Sequence, residues 1–134
     1  MNISKWNDYG LFNSIIIKLE NSGYPFSKIN FNTDSVKEYK IYGKLSLKKG
    51  PKTTIDSIAI KGYNNFPKHL IERYIDIKKK SFYNQNKIDN ISKTIQEIDF
   101  IKEFKKNEIL FNNNKNIIYL YLEKEKNNYL DAFF

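Results

Sequence analysis

The chain has 134 residues, 40% hydrophobic and 16% aromatic, enough apolar material for a folded core and too much for a disordered chain. It has no cysteine, which excludes disulfides, thiol nucleophiles and thiolate metal sites. The formal net charge is +8, but Arg73 is the only arginine. Lysine charge, set among many Asn, Ile, Tyr and Phe, fits AT-rich coding better than the bidentate phosphate and base recognition that arginine serves.

No stretch approaches the roughly 18 apolar residues of a membrane-spanning helix. The opening MNISKWNDYGLF lacks a basic segment followed by a long apolar one, so no secretory signal is visible. On that reading the chain is cytosolic, or is a piece of a longer protein whose targeting segment lies elsewhere. Residues 3–21 carry Trp6, Tyr9, Phe12, Ile15, Ile16 and Leu19 at three- and four-residue spacing, which predicts a helix. Gly23 ends it, and Pro25 prevents its resumption. A short strand is predicted over 26–32, with Ile29 and Phe31 on one face. NTDS (32–35) reads as a turn. A second strand over 39–48 puts Tyr39, Ile41, Leu45 and Leu47 on one face, and Gly50-Pro51 closes the unit.

A new strand begins near Thr54, with Ile58 and Ile60 on one face. YNNFPK feeds a helix that starts around Pro67, with Leu70, Ile71, Tyr74 and Ile75 as its apolar stripe. KKKSFYNQ reads as a polar break. A single helix over 84–98 would align Ile88, Ile91, Ile95 and Ile98. Strands over 106–111 and 117–124 follow, joined by a turn at NNNKN. In the last strand Ile118, Leu120 and Leu122 face one way, and Ile117, Tyr119 and Tyr121 the other, which suits a central strand or one with an apolar second face.

The two halves share a grammar: helix, strand, turn, strand closes each. The expected fold is α+β. A complete β-α-α-β-β unit spans 53–126, a three-stranded mixed sheet with two helices on one face. Residues 1–50 form a partial helix-strand-strand unit, too small to be stable alone. It needs missing chain or an interdomain interface to complete it. The aromatic segment 127–134, ending on two Phe residues, reads as a lead-in to further structure.

This order of landmarks resembles the POTRA (polypeptide-transport-associated) domain. Such domains sit in tandem before outer-membrane β-barrels of the assembly and two-partner-secretion superfamily, the BamA/TamA kind, also called the bacterial surface antigen superfamily. LENSGYPFSKI, with Gly23, Tyr24, Pro25 and Phe26, resembles the end of the second helix and the turn into the next strand. LKKGPKTTIDSIAIKGYNNF resembles an interdomain junction, with Gly50-Pro51 as the turn and Ile60 to Gly62 ending the next domain's first strand. KSFYNQNKIDNISKTIQEIDFIKEF resembles the start of the second helix, with Ser81 where Gly is usual. YLDAFF resembles the lead-in to the first barrel strand.

The resemblance implies a region on the periplasmic face of the bacterial outer membrane, part of a longer outer-membrane protein with a C-terminal barrel. Its partners would be unfolded outer-membrane protein clients and accessory assembly proteins, with no cofactor. Clients would add a strand to an exposed sheet edge. That edge is the strand opening each closing hairpin: Lys106, Ile109, Leu110 and Phe111 in the complete unit, and Ile29 and Phe31 in the partial one. Each of these side chains also has a packing reading, since alternate residues of a half-buried strand face the core. Lys105 and Lys106 also fit a charged edge that deters aggregation. A groove lined by Ile88, Ile91 and Ile95 is a second candidate, with core packing as its alternative. The positive charge, Lys78 to Lys80 included, suggests contact with an anionic membrane surface. Two other readings remain: a basic α+β nucleic-acid-binding domain, and a stand-alone structural or adaptor domain. No catalytic motif, phosphate loop or metal-ligand spacing is present, and His69 is a lone helix residue.

Overall fold

The computed structural model describes residues 2–3, 8–113 and 115–125, with side chains from residue 10 onward. Trp6, the Tyr9 side chain, Asn114 and the lead-in at 127–134 lie outside that set. The chain divides into two compact units, Met1–Thr53 with Phe82–Gln85, and Thr54–Ser81 with Asn86–Phe134.

The first unit holds β1 (Asn2–Ile3), α1 (Asp8–Glu20), β2 (Lys28–Lys37) and β3 (Lys40–Lys48). The sheet is antiparallel in the order β1-β3-β2. Residue 3, expected to open the helix, is in β1 instead. α1 closes as the sequence predicts. The Tyr24 N–H reaches the Leu19 carbonyl at 2.9 Å, with Gly23 at φ 101° between them, a Schellman closure in which glycine takes the left-handed position.

The hairpin departs from expectation. NTDS is not its turn but part of a longer β2, where the pairing slips between Thr33 and Ser35 and leaves Asp34 as a bulge. The chain reverses at Glu38-Tyr39, where both residues have positive φ (48° and 64°). Two such residues form the loop whose twist matches the strands. Glycine or asparagine usually fills these positions, so Glu-Tyr hid the turn. Tyr39 is therefore fully exposed and does not share the inner face of Ile41 and Leu45.

The second unit holds β4 (Thr54–Ile55), β5 (Ser57–Lys61), α2 (Lys68–Ile75), β6 (Ser81–Phe82), α3 (Gln85–Asp89), α4 (Ile91–Gln96), β7 (Ile101–Asn112) and β8 (Lys115–Lys124); β6 and α3 straddle the division between units. β5, β8 and β7 form a mixed sheet with β8 in the middle, parallel to β5 and antiparallel to β7. The central position of β8 is the one its two apolar faces predict. Ile118, Leu120 and Leu122 are 0% exposed. α2 packs on β5 and α4, and α4 packs on β7.

Three local expectations change. The single helix over 84–98 is two short helices, because Asn90 (ψ −5°) flattens the turn between them. KKKSFYNQ is not a mere polar break: it contains β6, paired with β4, and Tyr83, and it follows directly on Ile77; both side chains are buried. At its turn Lys80 takes the positive φ (66°), and Ser81 closes it through Oγ to the Lys78 carbonyl at 2.6 Å. Glycine is therefore not needed at 81.

Asp56 sets the register of β5. Its N–H donates to the Asn116 carbonyl at 2.8 Å, and its carboxylate accepts the Asn116 N–H at 2.6 Å. The Asn116 side chain donates to the Thr54 carbonyl at 3.0 Å.

The core is unevenly shared. Among the described residues, every buried apolar side chain except Tyr83 belongs to the second unit. In the first, Phe12, Ile15, Ile16, Leu19, Ile29, Phe31, Ile41 and Leu45 are only half-buried.

Candidate functional site

β7 is an edge strand of its sheet, and β2 is one in the first unit. β7 is longer than the expected 106–111, and its pairing with β8 slips between Glu103 and Lys105 and again between Lys105 and Glu108. Unbroken register covers three residues before the slips, Ile101 to Glu103, and its longest run is Glu108 to Asn112. The bulges bend the strand, so a straight partner strand has its longest fit along that run. Lys106 lies within the second slip and is exposed. Ile109 sits opposite the fully buried Ile118 and is half-buried, so it packs inward. Leu110 and Phe111 are exposed, at 47% and 39%.

On β2, Ile29 and Phe31 alternate inward. The Phe31 ring lies 6.3 Å from that of Phe12 and fills the space over Gly43. Both therefore pack, and the outward positions of that edge are Lys28, Asn30 and Asn32. Ile88, Ile91 and Ile95 do not line the expected groove together, because they are 6%, 0% and 1% exposed; the hollow of about 360 Å³ between α4 and β7 takes in only Ile95 of the three, with Gln96, Ile101, Lys102, Glu103 and Glu125. They are core, as their helical period allows.

The turn residues are structural. Gly50 has φ 73° and lies against Phe26, which is 44% exposed; Phe26 covers backbone rather than entering the core. Lys49 sits 5.5 Å over the Tyr24 ring. The Thr53 N–H, just after Pro51, donates to the Gly23 carbonyl at 2.8 Å. Gly62 (φ 93°) lies beneath the ring of Phe104.

The helix-free face of the second sheet carries a feature that the alternation of β8 foreshadowed. Lys61, Glu108, Ile109, Leu110, Tyr119 and Tyr121 line an open hollow of about 570 Å³. Lys61 sits 5.5 Å over the Tyr119 ring, and Lys105 sits 4.7 Å over the Tyr121 ring. Phe104 meets Tyr121 edge-on at 5.9 Å. Glu108 accepts from the Tyr121 hydroxyl at 2.7 Å and pairs with Lys105 at 2.9 Å.

These contacts shift all three groups. The hydrogen bond to Glu108 raises the Tyr121 phenol and the Lys105 ammonium above their ordinary values. The Tyr121 hydroxyl, then Lys105, lower the Glu108 carboxyl. The Glu108 contribution to stability is therefore present above the ordinary carboxylate value and lost as pH falls through the lowered one. Those of Tyr121 and Lys105 are present below their ordinary values and lost as pH rises through the raised ones. Glu108→Gln is expected to return the Tyr121 ionisation to lower pH. An absorbance titration of phenolate shows it; identical curves for both chains would mean that the pair is not coupled.

Among the described residues, no cluster of three or more His, Cys, Asp or Glu is placed to hold a metal ion. None of their helices is long and apolar enough to cross a membrane. His69 is exposed on α2.

Comparison with known proteins decides the family. The family model described as POTRA, surface antigen variable number repeat, matches residues 53–124, more than half of the chain. The chain belongs to the POTRA family. Among solved structures, it is similar to BamA from Haemophilus ducreyi lacking POTRA domains 1–3, with TM-score 0.70 and 11% identity over 92% of this chain and 24% of that one. It is also similar to POTRA3–5 of Haemophilus influenzae BamA, with TM-score 0.60 and 15% identity over 91% of this chain and 48% of that one. POTRA1–3 of Omp85 from Anabaena aligns with TM-score 0.50 and 8% identity over 95% of this chain and 54% of that one. At such identities the likeness is one of fold, and it reaches beyond the family match into the first unit. The chain spans about a quarter of the first of these structures and about half of the others. No curated protein matches the sequence.

Proposed function

We propose that this chain is the periplasmic POTRA region of an outer-membrane protein assembly or translocation factor, and that it receives extended client polypeptide by strand addition at β7. On this reading residues 1–50 are a partial POTRA-like unit, 53–126 a complete one, and 127–134 lead toward a barrel in the parent chain. The region docks clients and accessory subunits and uses no cofactor or covalent chemistry.

The observation that carries the reading is the outer edge of β7. Backbone donors and acceptors from Glu108 to Asn112 lie on an edge strand in straight register, beside the accessible Leu110 and Phe111. Strand addition draws affinity from the backbone and asks little of client sequence, which suits a factor with many clients. The bulges at 103–108 restrict where such a strand can lie.

A photoreactive residue at position 110 tests this. Unfolded barrel polypeptide is expected to label there and not at position 73, on the exposed face of α2. Labelling at 73 with none at 110 would retire the edge as the client site.

A further inference from the structure

Strand addition engages backbone at the β7 edge; the aromatic face of the second sheet adjoins that edge and shares Leu110 with it. We propose that this face, built on Tyr119, Tyr121, Lys61 and Lys105, docks on an anionic lipid bilayer surface.

Charge is the first argument. Among the described residues no carboxylate pairs with Lys61, whose neighbour is the Tyr119 ring. Lys105 and Glu108 offset each other, and the exposed Lys106 adds a further cation at the edge. Farther along, Lys102 and Glu123 are opposite in register and cancel. Among the described residues the face is thus net positive, with Lys61 lining the hollow, in a chain of formal charge +8. An anionic surface complements it.

The pairing of cation with ring is the second argument. The two ammonium groups lie against the two tyrosine rings, 5.5 and 4.7 Å from their centres, so an approaching surface meets cations and amphipathic rings together. Phe104 and Leu110 flank them at 50% and 47% exposed. Phosphate headgroups match that combination, since tyrosine favours the headgroup level and the lysines carry the complementary charge. A nucleic acid base needs a bare ring face on which to stack, and here each ring has a lysine ammonium against it. The Lys78 to Lys80 run lies on a turn rather than on a sheet face.

The test uses the full 134-residue chain and vesicles of phosphatidylcholine, alone or with phosphatidylglycerol, in a flotation assay. Binding is expected only to the anionic vesicles and should weaken with salt. Lys61→Gln with Lys105→Gln should reduce it about 30-fold, at roughly fivefold per lysine, while leaving photolabelling of clients at position 110 unchanged. Lys78→Gln with Lys79→Gln and Lys80→Gln removes more charge and should lose less. If that triple variant loses as much, or neutral vesicles bind equally well, the assignment is overturned. Tighter binding of a single-stranded oligonucleotide, lost in the Lys61 and Lys105 variant, would also overturn it. Circular dichroism melting confirms that each variant is folded.

Discussion

Leu120→Ala is expected to destabilise the second unit by about 2–5 kcal/mol, the usual cost of emptying a closed leucine site. Leu120 is fully buried on the central strand, between Ile118 and Leu122 on the same face. Neighbours on three elements cannot all collapse into the space, so a cavity remains and adds to the lost transfer energy. The matching change in the first unit, Leu45→Ala, removes a side chain that is already half-exposed, and about 1 kcal/mol is expected. Urea unfolding, followed by the amide resonances of each unit, measures both. Equal losses would mean that the first unit has a closed core of its own, contrary to its burial.

Gly43→Ala is expected to destabilise the first hairpin by about 3 kcal/mol, the upper end of overpacking costs. A β-carbon at 43 would fall on the Asn32 carbonyl and against the Phe31 ring. The ring can turn, but the carbonyl belongs to the paired strand, so β2 and β3 must separate locally. Gly10→Ala in α1 is the control. Among the described residues nothing lies within 4 Å of its added carbon, and alanine is the better helix former by about 1 kcal/mol. The two substitutions should therefore move the thermal midpoint in opposite directions. A stabilised Gly43→Ala would mean that the hairpin pairs more loosely than its register indicates.

Much of this was legible in the residues. Gly23 after the apolar stripe of α1 marked the helix end, because few other residues accept the left-handed position there. Apolar residues in both registers of β8 pointed to a central strand or to one with an apolar second face; the structure shows β8 in the middle of its sheet. The edge character of β7 was implied by the POTRA resemblance rather than by the residues themselves. The hairpin turn was not legible. Glu38-Tyr39 lacks turn chemistry, and NTDS has that chemistry yet lies within a strand. Cross-strand pairing over residues 28–48 outweighed the local preference. Ile88, Ile91 and Ile95 were correctly periodic, but period alone does not separate a groove from a core.

Local pattern thus determined the class, the α+β element order and the family grammar, because those depend on spacing and on single-residue backbone preference. Only the tertiary structure decided which parts of an edge remain straight, which apolar side chains are closed over, and which lysines find a carboxylate. Those are properties of register and burial, set by residues far apart in the chain. Asp56 meeting Asn116 and Lys61 lying over Tyr119 exist only once the parallel strand has docked.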